Sequence, residues 1–141
     1  MNATKTDAIK AIQALREFIP ANQLQAIGDA CRGEEKQFFF DKLVEMAGVV
    51  ETMPKTYEQD GKGNQAVAYL HYFKGNQDWY ITEKDIGSPE EPGQQQVFGL
   101  ADLGYGGELG YISIVELLHA GIELDMYFTP KTIKEISAGA V

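Results

Sequence analysis

The chain has 141 residues and 15.6 kDa, with 12 Lys and Arg against 21 Asp and Glu, a formal net charge of −9. A chain of this length buries roughly two-thirds of its unfolded surface, enough for one core without metal or disulfide staples. With 44% hydrophobic and 23% charged residues it is too apolar for intrinsic disorder, and no apolar run reaches the roughly 18 to 20 residues that cross a bilayer.

In chain order, Thr6 precedes a stripe of Ala8, Ile9, Ile12, Leu15, Phe18 and Ile19 at three- and four-residue steps, an amphipathic helix that Pro20 ends. Asn22 is the expected cap of a second helix presenting Leu24, Ile27 and Cys31, stopped by Gly33. A third runs from about Glu34 to about Thr52, with Phe38, Phe39, Leu43, Met46, Ala47 and Val50 apolar and Pro54 closing it. Short connections predict that these helices pack as an antiparallel cluster.

The polar segment Tyr57 to Asn64 reads as a loop, after which strands begin. Ala66 to Phe73 and Asp78 to Glu83 flank Gly75-Asn76, a two-residue hairpin turn that sets Tyr72 opposite Trp79 and His71 opposite Tyr80. Gly87 to Gln94 is a second loop, Gln95 to Asp102 a third strand, Gly104 to Gly107 a turn, and Leu109 to Ile112 a short strand. Ser113 and Glu116 form a capping box for a helix through His119 that Gly121 stops. Ile122 to Phe128 is strand-like, and Thr129-Pro130 starts a last helix. The expected architecture is a single α+β domain over 1–141: an N-terminal cluster of three helices (1–55), then an antiparallel β-meander with short C-terminal helices (65–141).

Charge is divided unequally along the chain. Residues 1 to 55 hold seven basic and eight acidic side chains, whereas residues 56 to 141 hold five and thirteen, a net of −8, with no Arg. Phosphate backbones are gripped by Lys and Arg, so this half is expected to repel nucleic acid. The aromatics Tyr69, Tyr72, Trp79, Tyr80 and Phe98 could form a base-stacking platform, but the cations that accompany such platforms are missing. The polar N-terminus lacks an apolar leader segment, so a cytoplasmic protein without membrane attachment is expected.

Cys31 stands alone on an apolar helical position, as an inert packed thiol does. Gly104, Gly106, Gly107 and Gly110 depart from the dinucleotide fingerprint in spacing and lead into a strand, so turn geometry accounts for them. His71 shares a sheet face with Val67, Tyr69 and Phe73, the pattern of a partly buried, satisfied histidine; His119 ends a helix and suits its macrodipole. His71, Asp78, Glu83 and Asp102 lie on or beside neighbouring strands and offer an alternative, a small metal-assisted hydrolase, if at least three of them converge. No motif demands a cofactor or a resident metal.

The stretch Tyr69 to Lys131 resembles an uncharacterised domain family, a domain of unknown function, found in phage, plasmid and other mobile-element accessory proteins of bacteria. The resemblance rests on Asp78-Trp79-Tyr80-Ile81-Thr82-Glu83, Val97-Phe98-Gly99, Glu108-Leu109-Gly110-Tyr111-Ile112-Ser113 with Glu116-Leu117, and Leu124-Asp125-Met126-Tyr127-Phe128-Thr129-Pro130-Lys131. It leaves the N-terminal helices outside and assigns no catalytic residue. It implies a small acidic protein directed against host defences by occupying a nucleic-acid-binding surface of its partner. With the charge distribution, this favours an acidic module for a basic protein partner, whose attraction fades as salt is added. The expected binding residues are the acids Glu83, Asp85, Glu90, Glu91, Asp102 and Glu108, with Trp79 or Tyr105 as aromatic anchor if exposed. A structural module with no site of its own is the remaining alternative.

Overall fold

The computed structural model describes residues 2–139. Helix α1 (Lys5–Leu15) is capped by Thr4, two residues before the expected Thr6, because Thr4 has Asp7 three positions on. The Thr4 hydroxyl accepts from the Asp7 N–H at 3.1 Å and the Asp7 carboxylate from the Thr4 N–H at 2.9 Å, closing a reciprocal capping box. Helix α2 (Ala21–Ala30) follows directly from Pro20, so Asn22 is not its cap but lies in its first turn. Helix α3 (Lys36–Thr52) ends before Pro54 as expected.

The strands are β1 (Val67–Ala68), β2 (Leu70–Lys74), β3 (Gln77–Glu83), β4 (Gln96–Asp102), β5 (Gly107–Ser113), β6 (Glu123–Leu124) and β7 (Lys131–Thr132). Five of them form an antiparallel sheet in the order β5-β4-β3-β2-β6, while β1 and β7 make a separate two-stranded ribbon. The expected first strand is thus split at Tyr69. The hairpin register is as expected, Tyr72 opposite Trp79 and His71 opposite Tyr80, with Gly75 at φ +60 in the turn. Helix α4 (Ile114–His119) is capped by Ser113, which accepts from the Glu116 N–H at 3.2 Å.

Two C-terminal expectations need correction. The strand expected over Ile122 to Phe128 contracts to β6, because the Asp125 carboxylate accepts from the Tyr127 N–H at 2.9 Å and turns the chain. The last helix, α5 (Ile133–Gly139), begins after Thr129-Pro130, since Thr132 and Glu135 close the capping box and Lys131 and Thr132 are committed to β7.

The sheet is covered on both faces, unequally. Trp79, Ile81, Val97 and Ile112 face the three N-terminal helices and meet Leu15, Phe18, Leu43 and Met46 in the main core. Tyr72 fastens the two layers, its buried hydroxyl donating to the Phe18 carbonyl at 2.5 Å. On the opposite face Leu100 and Tyr80 pack under a smaller cover of Ala66, Ala68, Ile133 and Ile136, contributed by the ribbon and α5.

The sheet edges also differ. At β6 the Gln23 side chain accepts from the Leu124 N–H at 2.9 Å and donates to its carbonyl at 2.8 Å, taking the place of a further strand. At the other edge the outer side of β5, away from β4, has no strand partner among the described residues. Among the described residues no helix is long and apolar enough to cross a membrane.

Candidate functional site

A β-bulge creates the main concavity. Ile81 pairs with Gly99 but Glu83 pairs with Phe98, so β3 holds one extra residue at Thr82. Strict alternation after Trp79 and Ile81 would turn Glu83 toward the helices; the bulge turns it to the opposite face, beside Phe98. There Glu83, only 4% exposed, lines a cavity of about 500 Å³ with Phe98, Leu109 and Tyr111 of the sheet and Tyr57, Gln59 and Asp60 of the loop after α3.

The loop is held by specific bonds. Gln59 is buried and donates to the carbonyls of Val67 and Thr82, each at 2.8 Å, while accepting from the Val67 N–H at 2.7 Å. Tyr57 adopts φ +73, a left-handed conformation that costs a non-glycine residue of order 1 kcal/mol or more. It is pinned at both ends: its N–H donates to Glu83 Oε1 at 2.5 Å, and its hydroxyl accepts from the Tyr111 hydroxyl at 3.0 Å. That hydrogen bond, joined by the nearby charges of Glu83 and Asp60, holds the Tyr111 phenol above its ordinary pKa. A strained loop residue anchored to a buried carboxylate at a cavity wall makes this cavity the candidate site.

The expected binding residues do not form one cluster. Glu83 is buried in the cavity wall rather than displayed as a surface acid. Asp85 is spent on its own loop, accepting from the N–H groups of Gly87 at 2.8 Å, Gln95 at 3.1 Å and Gln96 at 3.0 Å. Partial burial would raise its pKa, yet these donors outweigh it and hold the carboxyl below its ordinary value. Glu90 and Glu91 are exposed on the β3–β4 connection, whereas Asp102, Tyr105 and Glu108 surround the β4–β5 turn at the other end of seven-residue strands, roughly 20 Å away. Trp79, 8% exposed, belongs to the core and is no anchor, but Tyr105 is 97% exposed.

A second cluster lies on the same sheet face toward β2. His71 Nε2 is 2.7 Å from Asp78 Oδ1 and its Nδ1 is 3.1 Å from Asp125 Oδ2. Its ring stacks on Tyr80 at 4.5 Å and 8°. Both nitrogens are committed to carboxylates, so this is the satisfied, partly buried histidine expected from the strand pattern. Of the four residues a metal-assisted hydrolase would draw on, His71, Asp78 and Asp102 adjoin, Asp78 bonding to His71 and lying opposite Asp102 across β3 and β4, whereas Glu83 is five residues from Asp78 along β3, roughly 16 Å away. No group of three or more His, Cys, Asp or Glu among the described residues is arranged to hold a metal ion. Cys31 is half-buried at the end of α2, and burial pushes its thiol pKa up, away from nucleophile activation.

Tyr57, Gln59, Asp60, Leu109 and Tyr111 gave no site signal in the sequence, and Phe98 enters there only among the aromatics of a base-stacking platform. The signal that existed was Glu83, an acid ending a strongly apolar strand, whose direction depends on a bulge that residue types alone do not locate.

Searches of curated proteins and of solved structures found no match. Residues 43–138 match the model of a family described as proteins of unknown function, DUF2958. The match takes in most of α3, so it reaches further toward the N-terminus than the motif resemblance, and includes every wall of the cavity. The chain therefore belongs to DUF2958.

Proposed function

We propose that the protein is an acidic binding module whose docking surface is the open β5 side of the sheet, and that its partner is a basic protein. The observation that carries this reading is the composition of that side. Tyr57, Tyr105, Leu109 and Tyr111 are exposed at 70%, 97%, 42% and 55%, with the exposed acid Asp60 beside Tyr57 and Tyr111 at the cavity, and Asp102 and Glu108 beside Tyr105 at the β4–β5 turn. Exposed apolar side chains on an edge strand and the loops beside it favour association, and neighbouring acids select a cationic counterpart. The long-range charge supports it too. Among the described residues no Lys or Arg of the N-terminal helices forms an ion pair with an acid beyond residue 56; their two ion pairs, Arg32–Asp29 and Lys42–Glu45, are internal.

Phage and plasmid accessory proteins that oppose host defence supply the corresponding partner class, a host protein with a basic nucleic-acid-binding groove. Binding there would exclude the nucleic acid by occupying its place. The test is capture of basic proteins from bacterial lysate by wild type and by the Tyr105→Ala/Glu108→Lys variant, each at low and high salt. The expected result is capture at low salt that nucleic acid displaces and that the variant loses. Capture that neither the variant nor salt alters would overturn the reading.

A further inference from the structure

The cavity wall contains a buried carboxyl group without a basic partner. Glu83 accepts from the Tyr57 N–H through Oε1, and no Lys, Arg or His pairs with it among the described residues. Buried carboxylates are ordinarily matched by a cation or by several donors, because the desolvation cost is otherwise uncompensated. Its second oxygen has no protein donor, yet no sealed-off side-chain oxygen in the described structure lacks a partner, so Oε2 opens to the cavity that Glu83 lines. Asp60 adds a second acid at the lining, which contains no basic residue.

The rest of the wall suits the same occupant. Tyr57, Phe98 and Tyr111 present three aromatic rings, with Phe98 and Tyr111 edge-to-face at 5.4 Å and 85°. Aromatic faces attract organic cations, and a carboxylate beneath them fixes the charged end. The aliphatic stem of such a cation would lie against Leu109 and Ala66. A peptide is favoured over a free amine by the adjoining edge. A strand added beside β5 would place alternate side chains on the face that carries Leu109 and Tyr111, next to the cavity mouth.

We infer that this cavity receives a Lys or Arg side chain of the basic partner, inserted between Tyr57, Phe98 and Tyr111 with its charge on Glu83. The inference rests on the binding reading above and names the chemistry its cavity selects. The experiment is amide NMR titration of the full chain with a short capped peptide containing one Lys, its Arg counterpart, the same peptide with citrulline, and cadaverine. Shifts confined to 56–63, 82–83, 98 and 109–111 with the Lys or Arg peptide, and absent with citrulline, are expected. Glu83→Gln, which keeps an acceptor for the Tyr57 N–H, should weaken binding about tenfold, and Tyr111→Ala, on the exposed rim, should do so severalfold. Equal binding of citrulline, no shifts at the cavity, or unaltered affinity in folded Glu83→Gln and Tyr111→Ala would overturn the inference. Cadaverine matching the peptides would also overturn it, by giving the cavity to a free amine. Because the lysate test alters Tyr105 and Glu108 outside the cavity, partner capture with failed titration would reject only this inference.

Discussion

At the residue scale, the two histidine–carboxylate contacts and the Asp85 loop staple carry local stability. His71 separates Asp78 from Asp125, and Tyr80 beneath it already feels both charges together with Asp102; burial first, then these carboxylates, raises the Tyr80 phenol pKa. Removing the imidazole by His71→Ala leaves two carboxylates facing each other, Asp78 without its imidazole partner and Asp125 with only the Tyr127 N–H, so a loss of about 1–3 kcal/mol in urea unfolding is expected, with the cavity around Glu83 unchanged by amide NMR. Asp85 makes a pH-dependent contribution of known sign. Its folded pKa lies below the ordinary carboxylate value, so its stabilisation is present above that value and fades as the pH falls through the lower, folded one. Asp85→Asn should therefore be less stable than wild type at neutral pH, with the difference shrinking in acid. A gap between the two unfolding midpoints that stays constant with pH would contradict this assignment.

At the scale of elements, β4 is fitted to β3 through a glycine. A Cβ on Gly99 would lie 1.9 Å from the Tyr80 carbonyl oxygen and 2.9 Å from the Ile81 Cα, backbone atoms that cannot swing aside. Its partner on β5, Gly110, has open space at the same position. Gly99→Ala is expected to cost at least about 1–3 kcal/mol and Gly110→Ala little, measured by thermal or urea unfolding of the pair. The same region marks how far residue patterns can be read. Alternation in Leu70 to Lys74 and Gln77 to Ile81, with a Gly-Asn turn between, fixes the hairpin register because one slip would expose the whole apolar set. Glu83 departs from that alternation because the bulge depends on packing between two strands distant in the chain. The early end of β6 and the late start of α5 reflect side chains, Asp125 and Thr132, that captured backbone groups locally where propensity favoured a longer strand or an earlier helix.

At the scale of the whole molecule, the two faces of the sheet have different work. One is filled by three helices and forms the main core; the other has only a partial cover of ribbon, α5 and the 56–63 loop, leaving β5 and the cavity open. The charge split expected from composition corresponds to this division, although the acids gather at two ends of the sheet instead of one field. Asp102 and Glu108 belong with Tyr105 at the β4–β5 turn, Glu83 with the cavity, and Glu90 and Glu91 contribute at long range from the opposite loop. The docking surface proposed above accordingly falls on one edge, with the net charge of −9 acting on the rate of approach. Amide hydrogen exchange of the full chain, with and without the captured basic partner, tests that assignment most directly. The account expects protection on binding to concentrate in 56–63 and 102–113 and to leave α1, α2 and α3 unchanged; protection centred on the helices, with β5 exchanging as in the free protein, would contradict it.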